Sequence, residues 1–447
     1  MKLHSQNKEA LLTGRPLPTL LLFALPIILG NIFQQLYNIV DAMVVGKYLG
    51  DLPLAGISIA SPIMDILYAL LLGASIGIGV LVGQLCGAED WERLKKVHAT
   101  ALAGGGLVTL ALSAAGLLAA RSILVAQGND PAVVAHAMSY LVIILSCLLF
   151  NYLYNYFAAV LRAWGNSQTP FVVLLVSSIL HALLDLLLCG VLDLGIRGVA
   201  CSTVFCQVVS TLWLGLYTAK HCEPLRLKRG ELRIDRREAG AILGFAWAAA
   251  LQQAVVMVGR FLIQGMLTPL GTHSVTGYNM SMRVEQFLFC FSQGISAAMV
   301  VGISLSKGRK DDARVRAFYY SALRTEFVLW IVLGAVLYLL APRFIGLFSS
   351  HEEVIAAGTA YARTMALPYL FAFLGEAIQG FFRGIGRLRL TMIASLSQIV
   401  LRVILSSLLI PLWGIPGICA AVTTGWVLLV LIEGSYSLKV AKRAAGN

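Results

Sequence analysis

Stretches of about twenty predominantly apolar residues recur from one end of this chain to the other, each set off from the next by a few polar, charged or turn residues. In helical form, about 20 such residues cross the hydrocarbon core of a bilayer. Read in this way, the chain holds twelve spans at about 18–45, 53–82, 98–120, 133–158, 170–191, 196–219, 240–267, 274–304, 317–341, 354–377, 390–410 and 416–438. Spans 1 and 2, 5 and 6, 7 and 8, and 11 and 12 are joined by very short turns. No ten-residue segments of alternating hydrophobicity suggest a barrel, so the expected class is an all-α polytopic membrane protein. Composition points the same way. Of the 447 residues, 58% are hydrophobic and 13% charged, against about 25% charged in soluble domains. A single soluble core also stops growing at about 250–300 residues. Lipid must solvate most of this surface.

The net charge of +12 is then a question of position. With the N-terminus inside and an even number of spans, most Lys and Arg fall in the N-terminal tail, the even-numbered loops and the C-terminal tail. Lys47, Arg121, Arg197 and Arg343 fall on the other side, while Arg260, Arg283, Arg324, Arg363 and Arg402 lie within or near spans. This is the positive-inside pattern. It predicts a multi-pass protein of the cytoplasmic (inner or plasma) membrane with both termini cytoplasmic, and it removes nucleic acid as a partner. The first residues are polar and basic (Lys2, Lys8, Arg15) and no A-x-A site follows the first apolar run, so that run reads as a retained helix. Seven of the eight cysteines lie in or at the ends of apolar segments, Cys222 lies in a basic loop, and no CxxC spacing occurs. Neither a disulfide framework nor a zinc site is expected.

The densest run of charge, Lys220 to Glu238, sits at the chain midpoint and reads as a cytoplasmic linker. An internal repeat supports that division. An offset of 221 residues pairs Leu49–Gly50 with Leu270–Gly271, Gly73 with Gly294, Ser75 with Ser296, Gly87 with Gly308, Tyr140 with Tyr361, Arg162 with Arg383 and Gly165 with Gly386. The expected organisation is an N-terminal lobe at 1–219 (spans 1–6), a basic linker at 220–238 and a C-terminal lobe at 239–447 (spans 7–12). Six spans per lobe make the repeats parallel, an arrangement found in transporters.

Acids inside apolar helices are the most informative residues. An Asp at a helix centre costs about 2.5–3.5 kcal/mol on insertion scales, so it usually faces a cavity or a partner. Asp41 lies in span 1 and Asp185 in span 5, with Asp65 in span 2 and Glu285 in span 8 as further candidates. No basic residue within the first six spans is placed to pair with Asp41 or Asp185, whereas Arg260 or Arg283 would serve Glu285. A group that exchanges a proton near neutral pH, or trades it for a cation, is what an antiporter needs. His181 lies four residues before Asp185 and hence on the same helix face, which makes it a second proton site. In the second half Arg402 lies near the same depth, and Asp185 pairs with Ser406. The scaffold is repeated but its charge is not.

Gly79, Gly83 and Gly87 form a small-residue row, preceded by Gly73 and Gly77, that predicts close helix approach in lipid. Pro26 is placed to bend span 1 beneath Asp41. Tyr37, Tyr140, Tyr152, Tyr154 and Tyr156 are aromatics able to attract organic cations or to serve as interface residues. There is no GxxxxGK[ST] phosphate loop, no HExxH and no GxSxG, so neither ATP hydrolysis nor a hydrolytic site is expected. Transport must then draw on an ion gradient, where 100 mV is worth about 2.3 kcal/mol per charge.

Four segments, GRPLPTLLLFALPIILGNIFQQLYNIVDAMVVGKYLG, GASIGIGVLVGQLCGAED, LRAWGNSQTP and DLGIRGVACST, with weaker echoes SLSKGRKDDA and FRGIGRLRLT, resemble the multidrug and toxic compound extrusion (MATE) transporters. The resemblance runs from Pro26 to about Tyr436 and is strongest to the prokaryotic branch with its ion site in the N-terminal lobe. It implies twelve transmembrane helices in two six-helix lobes. Asp41 then matches the span 1 acid, Asp185 the span 5 acid and Thr203 the span 6 hydroxyl, while Tyr37 and Tyr140 match cavity tyrosines. Gln34, Asn155 and Glu285 are assigned to the same substrate cavity. Members with this site usually carry Asn where this chain has His181, which favours proton coupling over a Na+ site at Asp41, Asp185 and Thr203. The span 7 acid of the other branch is replaced by Gln252 and Gln253.

The resulting expectation is a monomeric, secondary active multidrug efflux antiporter. It would export small amphipathic, cationic organic compounds in exchange for H+ or Na+ by alternating access, without a cofactor. The rivals are a lipid-linked oligosaccharide flippase of the wider superfamily, whose cavity should be basic, and a membrane-embedded transferase, for which no catalytic motif is present.

Overall fold

The computed structural model describes residues 9–228 and 230–443, so the expected basic residues Lys2 and Lys8 lie outside it, and all regular structure among the described residues is helical. The long helices, numbered in chain order, are α1 Pro16–Tyr48, α2 Asp51–Ala88, α3 Trp91–Ala126, α4 Pro131–Ser146, α5 Leu148–Ala163, α6 Gln168–Val191, α7 Gly195–His221, α8 Arg236–Met266, α9 Thr272–Gly308, α10 Asp312–Gly346, α11 Glu352–Ala366, α12 Tyr369–Gly384, α13 Leu388–Trp413 and α14 Ile415–Arg443. Ten of them are individually long and apolar enough to cross a bilayer. The pairs α4/α5 and α11/α12 make two more spans, bent by 49° and 56°. With each bent pair counted as one span, the described residues give the expected twelve, two of them broken in the middle.

The repeat is visible in the backbone itself. Helices begin at Asp51 and Thr272, Trp91 and Asp312, Pro131 and Glu352, and Leu148 and Tyr369, each pair in the offset read from the sequence. Asp90 and Asp311 cap the starts of α3 and α10, their side chains accepting from the backbone N–H of Arg93 and Arg314. Such a cap satisfies a donor that has no partner within the helix. Left-handed backbone, uncommon outside glycine, recurs at Glu89 and Lys310 and at Gly165 and Gly386. These pairs fix the same turns in both halves, so the two six-span repeats share one plan of helices and connections.

Packing divides the chain into two compact units. One consists of Leu29–Ala250, and the other of Glu9–Ile28 together with the chain from Leu251 onward. α1 runs unbroken through Pro26, and its membership changes from the second unit to the first just beyond that residue. In the first unit, α2 packs against α4, α5 and, through Gly73 and Gly77, the backbone of α8 at Phe245 to Ala250. A Cβ on Gly73 would stand 2.6 Å from the Ala250 Cα, and one on Gly79 would stand 3.2 Å from the Ala159 Cβ. The tightest approach is thus made by Gly73 and Gly77, the pair preceding the small-residue row.

The charged stretch read as a linker packs in the first unit. Lys95 pairs with Glu231 at 2.8 Å and Arg93 with the largely buried Glu238 at 3.0 Å. The Asp235 carboxylate accepts from the backbone N–H of Arg237 and Glu238 and so caps α8. The hydrogen bond from Lys95 holds the Glu231 carboxyl below the usual carboxylate range.

Candidate functional site

Three helices of the first unit bring together the side chains that the sequence singled out. α1 presents Tyr37 and Asp41, and α6 presents His181 and Asp185, each pair four residues apart and hence on one face. α7 presents Ser202 and Thr203. His181 and Asp185 are buried, with 4% and 0% of their surface exposed. Directly after Asp185 the α-helix widens into a π-helical turn, Leu186–Val191, a local departure that is frequent at functional sites.

The hydrogen bonds form a short chain around the imidazole. His181 Nδ1 stands 2.7 Å from Asp185 Oδ2, close enough for an ion pair but not aligned as a hydrogen bond, so Oδ2 has no hydrogen-bond partner. Its Nε2 stands 2.9 Å from the Thr203 hydroxyl, which itself donates to the Val199 carbonyl at 2.9 Å. With the Thr203 proton spent on that carbonyl, the hydroxyl accepts from Nε2–H, which turns the Nδ1 lone pair toward Asp185 Oδ2. The Tyr37 hydroxyl lies 3.0 Å from Nδ1 and 3.1 Å from Nε2, its ring edge-on to the imidazole. The Ser202 hydroxyl donates to the other oxygen of Asp185.

Asp41 completes the cluster. One ligand atom each from Asp41, His181 and Asp185 lie within 4.8 Å of one another, yet Asp41 Oδ1 has no hydrogen-bond partner. Two carboxylates share one imidazole in a largely buried space, where an unpaired charge is costly. The arrangement has room for at least one proton or monovalent cation. A hard cation prefers oxygen ligands, and here the imidazole stands among the oxygens while the Thr203 hydroxyl is already engaged with it and with the backbone. Proton exchange is the chemistry this donor set supports best.

The remaining sequence candidates are placed differently. Tyr140 lies within electrostatic reach of Asp41 and Asp185, beside Tyr68. Gln34 bonds Asn38 at 3.3 Å along α1, and Asn155 bonds the carbonyl of Asn151 at 2.9 Å along α5; neither touches the cluster. Asp65 is exposed and is not a member of it. Tyr152 and Tyr156 are not cavity aromatics. They are buried in the first unit, where Tyr152 donates to the Ala101 carbonyl at the π-helical turn of α3 and Tyr156 bonds His98 at 2.6 Å.

Glu285 belongs to the second unit. Its Oε2 accepts from the Tyr369 hydroxyl at 2.6 Å. Arg402 and Arg260, not Arg283, are the cations that face it, and Arg283 is exposed.

Three residues escaped the sequence reading. Ser202 bonds Asp185 directly, while Thr203, the span 6 hydroxyl singled out by the sequence, bonds His181. Glu326 in α10 and Glu433 in α14 are fully buried acids whose carboxylate oxygens all lack hydrogen-bond partners. Their signal, an acid inside an apolar span, is the one that marked Asp41.

The MatE family model matches residues 26–187 and 248–408, one segment in each repeat. The chain is 26% identical over 341 residues to the probable multidrug resistance protein YoeA of Bacillus subtilis (strain 168), covering 75% of this chain and 74% of that one. It is 22% identical over 409 residues to the multidrug export protein MepA of Staphylococcus saprophyticus, covering 91% and 89%. Its fold matches that of a crystal structure of MATE in complex with MaL6 at a TM-score of 0.91 and 20% identity, over 98% of this chain and 99% of that one.

Proposed function

The chain belongs to the MatE family and is a multi-pass membrane transporter, not an enzyme, and from that premise we propose that it is a secondary active exporter of small amphipathic organic compounds. The driving ion is H+, with Na+ as the alternative, and the mode is antiport by alternating access. Relatives named for multidrug resistance and multidrug export support the substrate class. The observation that carries the ion coupling is the buried Asp41–His181–Asp185 cluster, which has two carboxylates and one imidazole and an unpartnered oxygen on Asp41.

In this mechanism the cluster alternates between two states. When it is short of a proton, excess negative charge in a low-dielectric space attracts either a cationic substrate or a proton from outside. Uptake of a proton neutralises that charge and removes the attraction, so the substrate leaves on the side where protons are plentiful. Asp41 and Asp185 share the proton. His181 Nδ1, 2.7 Å from Asp185 Oδ2, is the neighbouring proton acceptor, and Thr203 fixes the ring through Nε2. The positive-inside pattern orients both termini toward the cytoplasm of the bounding membrane.

Proteoliposomes in which a pH gradient or a Na+ gradient is imposed separately test this reading, with efflux of a fluorescent cationic amphipath as the readout. The wild-type chain is expected to respond to the pH gradient, and Asp41→Asn and Asp185→Asn are each expected to abolish that response. Wild-type coupled transport in both variants would sink the mechanism. A response to Na+ alone would reassign the ion.

A further inference from the structure

The cluster in the first unit has a counterpart in the second that carries the opposite charge. Offset by the repeat, Tyr140, His181 and Asp185 correspond to Tyr361, Arg402 and Ser406. All three counterparts are buried, with 0%, 9% and 0% of their surface exposed. Arg402 Nε and the Ser406 hydroxyl have no partner within hydrogen-bond distance, nor does the Tyr361 hydroxyl, although Glu285 lies beside that hydroxyl and Tyr278 beside the guanidinium. Among the described residues Arg402 forms no ion pair within 4.0 Å. Glu285, the acid that faces it, gives an oxygen to Tyr369 instead and is shared with Arg260. One carboxylate therefore stands against two guanidiniums.

A buried acid without a partner can take up a proton, but a guanidinium cannot give one away. Leaving its Nε buried and unsatisfied is costly, and an unsatisfied polar group in a native interior calls for an explanation. Here three groups that can all donate a hydrogen bond occupy repeat-equivalent positions of a site that, in the other half, gathers acceptors. Tyr361 lies within electrostatic reach of Arg402, and Ser406 is one turn along the same helix face. Guanidinium matches carboxylate and phosphate oxygens in geometry as well as charge. Beside this group Phe289 and Trp426 pack on Tyr369, an apolar wall suited to the body of an amphipath.

We propose that the second unit holds an oxyanion-binding site, built on Arg402 with the hydroxyls of Tyr361 and Ser406, that takes the carboxylate or phosphate group of an amphipathic molecule. This goes beyond the exporter reading, because it assigns an acidic group to the ligand and places it in the half of the chain without the Asp41 cluster. A zwitterionic or acidic amphipath fits such a site, and so does the phosphate of an anionic lipid.

The test is direct binding to the purified full chain in neutral detergent, followed by fluorescence. The probes are dansylated alkyl chains that differ at one end, which is a carboxylate, a phosphate monoester or an uncharged methyl ester. The wild-type chain is expected to bind both acids about tenfold more tightly than the ester. Arg402→Gln should erase that preference, and Tyr361→Phe combined with Ser406→Ala should reduce it several-fold. Size-exclusion profiles report folding, and the hydroxyl variants decide the matter if Arg402→Gln does not fold. Equal binding of acid and ester by the wild-type chain would overturn the proposal, as would an acid preference that survives in every folded variant. Displacement of the acid probes by phosphatidylglycerol but not by phosphatidylcholine assigns the site to a lipid headgroup. No displacement by either assigns it to a soluble amphipath. Because no gradient is imposed, failure here leaves ion-coupled export standing, and the reverse also holds.

Discussion

His181 stands between an acid and a hydroxyl, Asp185 on one side of its ring and Thr203 on the other. Its hydrogen bond to Thr203 sets the ring, and its Nδ1 stands 2.7 Å from Asp185 Oδ2. Ser202 supports this arrangement from the other side, since its hydroxyl is the donor to the second oxygen of Asp185. Ser202→Ala leaves that oxygen buried without a donor, an effect of about 1–3 kcal/mol. Thermal unfolding in detergent should show the loss, and Ser202→Thr should recover most of it. An unchanged midpoint for Ser202→Ala would mean that Asp185 finds its donor elsewhere. At this scale Asp41, His181 and Asp185 were legible, because polar groups in apolar helices stand out and a spacing of four defines a face. The choice between Ser202 and Thr203 was not. Adjacent residues point about 100° apart on a helix, and which of them meets Asp185 depends on how α6 and α7 are rotated against each other. Glu326 and Glu433 were legible by the rule that found Asp41.

Among the elements, α2 shows how small residues set helix distance. Without a hydrophobic force between helices in lipid, close backbone approach supplies the packing. A Cβ on Gly73 or Gly77 would stand within 3 Å of the backbone of α8, which cannot yield, whereas one on Gly79 meets the Ala159 methyl at 3.2 Å and its backbone only at 3.6 Å. Gly73→Ala should therefore destabilise the chain by about 1–3 kcal/mol, the usual effect of overpacking, and Gly79→Ala by less. Gly46→Ala in α1, where nothing lies within 4 Å, is the matched control. Unfolding midpoints in detergent rank the three, and a harmless Gly73→Ala would show that α2 and α8 can move apart. The broken spans were the part of the fold least visible beforehand. The break between α11 and α12 falls at Pro368, which cannot donate to the helix ladder. The break between α4 and α5 falls at Ser146–Cys147, where neither Pro nor Gly marks it, and hydrophobic periodicity runs straight through. The pairing of Leu148 with Tyr369 in the repeat is what reveals it: one break has a local cause, and its counterpart keeps the same backbone course without one.

For the molecule as a whole, the repeat and the charge pattern constrain each other. Two parallel repeats of six spans must both enter the membrane from the same side, so the segment between them has to share a side with both termini. That segment is also the densest in basic residues, as the positive-inside pattern requires of a cytoplasmic connection. It is held by Lys95–Glu231 and Arg93–Glu238, yet Arg226, Lys228 and Arg233 remain exposed. Trypsin added to inverted membrane vesicles should therefore cut between α7 and α8 and release two fragments of about half the full mass. Intact spheroplasts should protect the same bonds if they face the cytoplasm, and little cleavage is expected elsewhere from outside, because Lys47, Arg121, Arg197 and Arg343 lie within helices. Cleavage from the outer side would reverse the orientation. Seven or five spans in either half would instead place the linker on the opposite side from one terminus, so an epitope at each end, read in the same vesicles, separates a reversed molecule from a miscounted one.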